Sequence, residues 1–186
     1  KSGAAGSYGG ATGVAGDQGL TGGRTYTCPG AHEAVAVHGL NVMVAGNSGQ
    51  VCTSTDGGKT FTKQTLKDSK GTAVSLRGVA VAKVQGKVTA LAVGHTSAGH
   101  QLFRSVDAGK NWKLLTSLAA APKYVLGKVF MRTSGEVFLF SKFALHRSKN
   151  AGNSWSTRNI SGVTNILATL AYEAPGRILI TGVTTY

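Results

Sequence analysis

The sequence predicts an all-β protein, a β-propeller of four-stranded antiparallel blades with about four blades present. Three observations predict it: an eight-residue pattern that occurs three times, short apolar segments at fixed positions around each copy, and a composition rich in Gly and Thr but poor in Glu. Such a composition favours short strands and tight turns over helices. A pattern that recurs at blade-sized intervals is typical of a propeller, in which each repeat is one small sheet.

The repeated pattern is Ser-x-Asp/Asn-x-Gly-x-x-aromatic, and we call its copies octet 1 (54–61), octet 2 (105–112) and octet 3 (148–155). Their starts are 51 and 43 residues apart, which suits one blade each. Asp or Asn before Gly predicts a hairpin turn, because Gly accepts positive φ and the side chain accepts backbone N–H groups. The aromatic residue then anchors the hairpin. The pattern residues are Ser54, Asp56, Gly58 and Phe61; Ser105, Asp107, Gly109 and Trp112; and Ser148, Asn150, Gly152 and Trp155.

Four short strands are predicted around each octet, three before it and one after it. Each is apolar or β-branched and is bounded by Gly, Asn, Asp or Ser, as strands joined by tight turns are. Four strands per repeat make one blade. The predicted strands are 34–37, 42–46, 50–53 and 62–66; 76–81, 88–94, 101–104 and 113–115; and 126–132, 136–140, 144–147 and 156–159.

Both chain ends continue the repeat. Residues 166–173 and 177–182 match the first two strands of a further blade, and residues 14–19 match the second-strand segment 44–49. Since both ends carry the second strand, we expect an incomplete propeller; a small closed ring is the alternative. The predicted division is a flexible Gly/Ala/Ser lead-in at 1–10 and one propeller region at 11–186, with blades at about 11–30 (partial), 31–70, 71–120, 121–162 and 163–186 (partial).

The charge is strongly positive, with 20 Lys and Arg against seven acidic residues and a net charge of +13. This predicts an anionic partner, either a protein or an acidic polysaccharide; a basic surface that only aids solubility is the alternative. Nucleic acid is disfavoured because no block of adjacent basic residues occurs. Basic residues recur at equivalent repeat positions, which indicates an anion-docking surface or, alternatively, solvated strand edges protected against aggregation. The candidate docking residues are Arg104, Arg147, Lys59, Lys110, Lys63 and Lys113.

The two cysteines, Cys28 and Cys52, are too few for a disulfide framework or a zinc site. We expect them to pair and tie the N-terminal segment to the next blade; two buried free thiols are the alternative. A sequon makes Asn159 a possible N-glycosylation position. These features favour a secreted protein or an oxidising lumen, alternatively an organelle lumen entered with a transit peptide. No apolar run approaches the roughly 20 residues that span a membrane.

The octets resemble Asp-box (BNR) repeats, which occur in sialidases, sortilin-type receptors and photosystem II stability/assembly factors. The run from Gly46 to Phe61 is most similar to the stability-factor type. The resemblance implies that the octet residues are structural and lie at the blade periphery, away from the ligand-binding face. Asn150 departs from the usual Asp but still suits the turn. The stability-factor type further implies a non-enzymatic scaffold with a basic face.

Catalytic chemistry has little support in the residues. Sialidase chemistry needs an arginine cluster, a Tyr–Glu pair and an acid/base Asp, and the seven acidic residues show no such arrangement. His95 and His100 either face each other across a hairpin or are exposed loop residues, and no histidine has metal-ligand spacing. We predict no catalytic residue, metal or cofactor, and a non-catalytic binding or scaffold propeller. The alternative is a fragment of a sialidase-like glycoside hydrolase.

Overall fold

The computed structural model describes Cys28, residues 32–115, 128–140 and 144–159, and the backbone of 171–174 and 177–180. This part of the chain contains strands and no helix, so it has no helix that could cross a membrane. The strands are β1 (His32–His38), β2 (Asn41–Gly46), β3 (Gln50–Ser54), β4 (Thr62–Thr65), β5 (Ser75–Val84), β6 (Lys87–Thr96), β7 (Gly99–Ser105), β8 (Lys113–Leu115), β9 (Lys128–Met131), β10 (Val137–Phe140), β11 (Ala144–Ser148), β12 (Ser156–Asn159), β13 (Ala171–Ala174) and β14 (Arg177–Ile180).

The strands form consecutive antiparallel sheets in chain order. Strands β1–β4, β5–β8 and β9–β12 make three four-stranded sheets, which we call blades 1, 2 and 3, and β13 pairs with β14. Every predicted strand of the three blades has a counterpart, and β13 and β14 overlap the segments 166–173 and 177–182 predicted near the C-terminus, whose other residues lie outside the described part of the chain. The predicted fold class is therefore confirmed: the chain is an all-β propeller of four-stranded blades. The predictions for residues 1–27 lie outside the described residues.

The hydrophobic core lies between successive blades. Side chains alternate between the two faces of a strand, and a middle blade needs apolar residues on both faces because it stacks on two neighbours. On one face of blade 2, Ala92 and Phe103 pack against Met43 of blade 1. On the other face, Val93 packs in a cluster with Leu139 of blade 3. The outermost strands β4 and β12 are largely exposed, so the rim of the propeller faces solvent.

A short loop between blades 1 and 2 is held by the buried carboxylate of Asp68. This carboxylate accepts hydrogen bonds from the Lys70 and Thr72 N–H groups, both at 2.9 Å, and from the Thr96 hydroxyl at 3.0 Å. The Thr72 bond is the main cause that lowers the pKa of Asp68 below its usual value. Because Thr96 ends β6, the carboxylate ties the loop to the β6–β7 hairpin of blade 2.

Candidate functional site: the propeller rim

Each octet folds as a hairpin whose own side chains satisfy its backbone. In octet 1 the Ser54 hydroxyl accepts the Gly58 N–H at 2.9 Å and donates to the Asp56 carboxylate at 2.7 Å. The same carboxylate accepts the Thr60 N–H at 3.0 Å and the Thr60 hydroxyl at 2.6 Å. These bonds explain why the pattern needs Ser first and Asp third: one side chain braces each half of the turn.

The other two octets repeat this network, including one position that the sequence pattern left open. The seventh residue is Thr60, Asn111 or Ser154, and in each copy its N–H and its side chain both bond to the third residue. In octet 3 Asn150 donates its amide to the Ser154 hydroxyl at 2.9 Å, so Asn replaces Asp without losing a bond. The signal in the sequence was a short polar residue in all three copies.

Hydrogen bonding keeps the octet carboxylates ionised. The bond from the Thr60 hydroxyl is the main cause that holds the pKa of Asp56 far below its usual range. The Asn111 N–H is the main cause that lowers the pKa of Asp107 to about 2. A carboxylate that stays charged and already accepts several hydrogen bonds is a poor general acid or base at neutral pH, so the geometry gives these residues a structural role.

We expect Asp107→Ala to lower the free energy of unfolding by about 1–2 kcal/mol, since it removes the acceptor for the Asn111 N–H and side chain. Asp107→Asn should cost less, because the amide of Asn111 can rotate to present its oxygen, as Ser154 presents an acceptor to Asn150. Urea unfolding at pH 7 measures both. Equal losses of stability in the two variants would contradict the role of residue 107 as a hydrogen-bonding brace of the turn.

The lowered pKa of Asp107 also sets the sign of an acid effect. The stabilisation that ionised Asp107 gives the folded state is complete above about pH 3.9, the pKa of an Asp in the unfolded chain. It is lost as the pH falls towards about 2, the pKa of Asp107 in the folded protein. Asp107→Asn should therefore flatten the loss of stability in that acid range.

The octet hairpins also pack against the preceding blade. A Cβ added at Gly109 of octet 2 would lie 2.4 Å from Cγ2 of Thr53 in blade 1, and one added at Gly152 of octet 3 would lie 3.3 Å from Leu115 of blade 2. Both glycines have positive φ, +83° and +88°. The Gln64 amide of blade 1 donates to the Lys110 carbonyl at 2.9 Å, which adds a polar contact across the same interface. The aromatic residues Trp112 and Trp155 join the interblade clusters.

The candidate docking residues fall into two groups in the structure. Lys59, Lys63, Lys110 and Lys113 are exposed on the octets and on the outer strands β4 and β8. Arg104 instead donates across the interface between blades 2 and 3, to the Ala151 carbonyl at 3.3 Å and to the side chain of Asn153. These contacts favour a role for Arg104 in interblade packing.

Arg147 occupies in blade 3 the position that Arg104 occupies in blade 2, and it has different partners. Its guanidinium pairs with Glu136, which also pairs with Arg132 at 2.8 Å. Both guanidinium groups lie over the ring of Phe138, at 5.9 and 5.4 Å from its centroid. With Arg158 these residues line a groove of about 470 Å³. Three arginines against one glutamate make the groove basic; the sequence did not show that they meet.

Unpaired positive charge is concentrated on lysines. All ten lysines among the described residues are exposed, and none of them forms an ion pair. The carboxylates in the same part of the chain are engaged: Glu33 pairs with Arg77 at 3.0 Å, Glu136 pairs with two arginines, and the aspartates bond to turns. The lysines are Lys59, Lys63, Lys67, Lys70, Lys83, Lys87, Lys110, Lys113, Lys128 and Lys149.

Cys28 and Cys52 form a disulfide, with their Cα atoms 6.1 Å apart and a sequence separation of 24. Cys52 lies on the face of blade 1 that points away from blade 2, in a buried cluster with Val42 and Val44. The bond therefore joins the segment before β1 to β3. A disulfide of this kind is compatible with an oxidising compartment. Asn159 is exposed at the end of β12.

Fold and rim geometry together place the chain among the β-propellers, and solved propellers are similar to it. They include YCF48 bound to D1 peptide (17% identity, TM-score 0.56, 71% of this chain and 41% of that chain). YCF48 from Cyanidioschyzon merolae is 18% identical (TM-score 0.54, 70% and 41%). An ancestral GH74 enzyme is 18% identical (TM-score 0.61, 81% and 24%). The chain thus spans less than half the length of each. No family model and no curated protein matches it.

Proposed function

We propose that this chain is a non-catalytic binding or scaffold propeller that docks an anionic partner, a protein or an acidic glycan, through its lysine-rich rim. The observation that carries the proposal is the imbalance of free charge: the described lysines are exposed and unpaired, whereas the described carboxylates are engaged. Exposed cations that form no ion pair produce a positive surface potential, which attracts anionic partners and speeds their association.

The four rim lysines suit docking because of where the hairpins put them. Lys59 and Lys110 stand inside octets 1 and 2, whose backbones are braced by their own side chains. Lys63 and Lys113 stand on the adjoining outer strands. Rigid turns hold the Cα positions of the basic residues at fixed spacing, which reduces the entropy lost when an extended acidic segment binds along them.

A protein partner and an oxidising location each have support. YCF48 is a propeller of similar fold that has been solved with a peptide bound, and this precedent supports a peptide or protein partner. The Ser and Asp side chains of octet 1 brace its own turn, which supports the structural role that the Asp-box resemblance implies. The Cys28–Cys52 disulfide supports a secreted protein or a lumenal one, where Asn159 would be open to glycosylation.

The test is binding to immobilised heparin and to immobilised poly-glutamate, with elution by NaCl. Salt elutes the bound protein because it screens attraction between exposed charges, to within about 3 Å at 1 M. The rim variant Lys59→Glu/Lys63→Glu/Lys110→Glu/Lys113→Glu should elute at much lower salt than the parent protein, because four of the rim cations are replaced by anions. A matched control reverses four other exposed lysines, Lys70, Lys83, Lys87 and Lys128, and so changes the net charge equally.

The comparison between the two variants separates a docking surface from bulk charge. We expect the rim variant to lose binding and the control to keep most of it. Equal losses would mean that net charge alone drives adsorption, and retention by the rim variant would refute docking at the rim. Preference for poly-glutamate over heparin would assign a protein partner, and the reverse preference a glycan.

The alternative, part of a sialidase-like or other glycoside hydrolase, has one supporting observation, the likeness of fold to a GH74 enzyme. Glycoside hydrolysis needs two carboxyl groups facing one another across the substrate. Among the described residues, Asp56, Asp68 and Asp107 are committed to turns, and Glu136 lies between two arginines. Release of reducing sugar from sialosides or β-glucans by the purified chain would establish this alternative.

A further inference from the structure

Three histidines meet at the interface between blades 2 and 3. His95 on β6 and His100 on β7 are direct cross-strand partners, beside the pair formed by Val93 and Leu102. Since residues two apart on a strand share a face, both histidines lie on the face of blade 2 that packs on blade 3. This pairing supports the prediction that His95 and His100 face each other across a hairpin, rather than the alternative that both are exposed loop residues.

His146 enters the same interface from blade 3. On β11 it pairs with Leu139 of β10, which packs in the cluster between blades 2 and 3. The side chain of His146 is 1% exposed, and its Nδ1 lies 2.8 Å from the Thr157 hydroxyl of β12. The neighbouring hairpin residue Thr96 bonds to Asp68, a carboxylate that comes from the loop between blades 1 and 2.

Burial is the main cause that lowers the pKa of His146, and the charge of His100 lowers it further. The strand registers place the two residues on facing sides of this interface, because Leu139, the partner of His146, packs in one cluster with Leu102, which lies two residues from His100. The Nδ1 of His95 is also buried, without a hydrogen-bond partner among the described residues. Protonation of His146 would therefore place a positive charge in a closely packed, poorly solvated contact.

We propose that His146, packed at the interface that also holds the His95–His100 pair, is a pH-sensitive contact that holds blades 2 and 3 together when its ring is neutral and loosens when it is protonated. A histidine with a lowered pKa binds fewer protons in the folded state than in the unfolded state. Its stabilisation is complete above the unfolded pKa of about 6.5 and is lost as the pH falls below it. Octet 3 packs across the same interface through Gly152 and Arg104, so loosening would alter the basic rim.

The test compares urea unfolding at pH 7.5 and pH 5.0. The midpoint for the parent protein should fall by about 0.5–1 M at pH 5.0. His146→Gln should remove a large part of that fall and His100→Gln a smaller part, whatever they do to stability at pH 7.5. His38→Gln is the matched control, since it removes a histidine at the end of β1 in blade 1 and should leave the pH dependence unchanged.

Hydrogen exchange in the parent protein gives a local readout, corrected for the intrinsic effect of pH. Amides of β7 and β11 should lose protection at pH 5.0, while those of β2 and β3 in blade 1 keep theirs. The proposal is overturned if His146→Gln and His100→Gln both retain the pH dependence of the parent, or if protection falls equally in all three blades. If His146→Gln does not fold, the His100→Gln variant and the exchange pattern decide the question.

Discussion

Removing the Cys28–Cys52 disulfide by Cys28→Ala should lower the free energy of unfolding by about 3–4 kcal/mol. The bond closes a loop between residues 24 apart, and for a loop of that length the chain-entropy model assigns about this cost to its loss. Cys28→Ala is the cleaner variant, because Cys28 is 6% exposed whereas Cys52 is fully buried. Alanine at position 52 would add a cavity to the loss of the cross-link.

The measurement is equilibrium unfolding in urea, with the parent protein examined with and without a reductant. The reduced parent should unfold at nearly the same midpoint as Cys28→Ala, and the reductant should leave the variant unchanged. Cys52→Ala should be less stable than Cys28→Ala by the cavity cost. If Cys28→Ala under oxidising conditions were as stable as the parent, the disulfide would contribute nothing to the fold.

Gly109→Ala should lower the free energy of unfolding by about 3 kcal/mol. Its φ of +83° disfavours a side chain, and its new Cβ would lie 2.4 Å from Cγ2 of the buried Thr53. The matched control is Gly86→Ala, where φ is +80° but nothing lies within 4 Å. That variant should cost about 1 kcal/mol, the strain of positive φ alone.

The difference between these two variants measures how tightly octet 2 packs on blade 1. Thr53→Ala removes the clashing methyl, so the double variant Thr53→Ala/Gly109→Ala should recover part of the loss in a double-mutant cycle. Thermal or urea unfolding measures the stability of the parent, the two single variants and the double variant. Equal costs for Gly109→Ala and Gly86→Ala, with no coupling to Thr53, would show that the octet does not depend on contact with the preceding blade.

The sequence predicted the architecture well because its signals are local. A run such as 88–94 is recognisable as a strand from its apolar residues, and the turn of octet 2 from Ser105, Asp107 and Gly109, without knowledge of distant contacts. The structure extends β6 to Lys87–Thr96 and lengthens β5 to Ser75–Val84, because pairing between these two strands continues beyond the apolar segments. Strand ends depend on the partner strand, which composition does not reveal.

The interfaces between blades were harder to predict. Arg104 and Arg147 share a repeat position, yet one donates to octet 3 and the other pairs with Glu136. The pattern assigned the glycines to turn geometry alone, whereas Gly109 and Gly152 also allow close approach to the neighbouring blade. The cluster of His95, His100 and His146 joins residues from two blades, and no spacing within one segment signals it.

What the sequence by itself determined is the repeated blade and its octet hairpin, since φ preferences, short-range hydrogen bonds and alternation of apolar residues act within a few neighbouring positions. What only the tertiary structure decided is which charges remain free. Lys59 and Lys110 stay exposed in the octets, while the charge of Arg104 is used at an interface. The physical reason is that a side chain's partners come from whichever blade stacks beside it, and stacking brings together residues far apart in the chain.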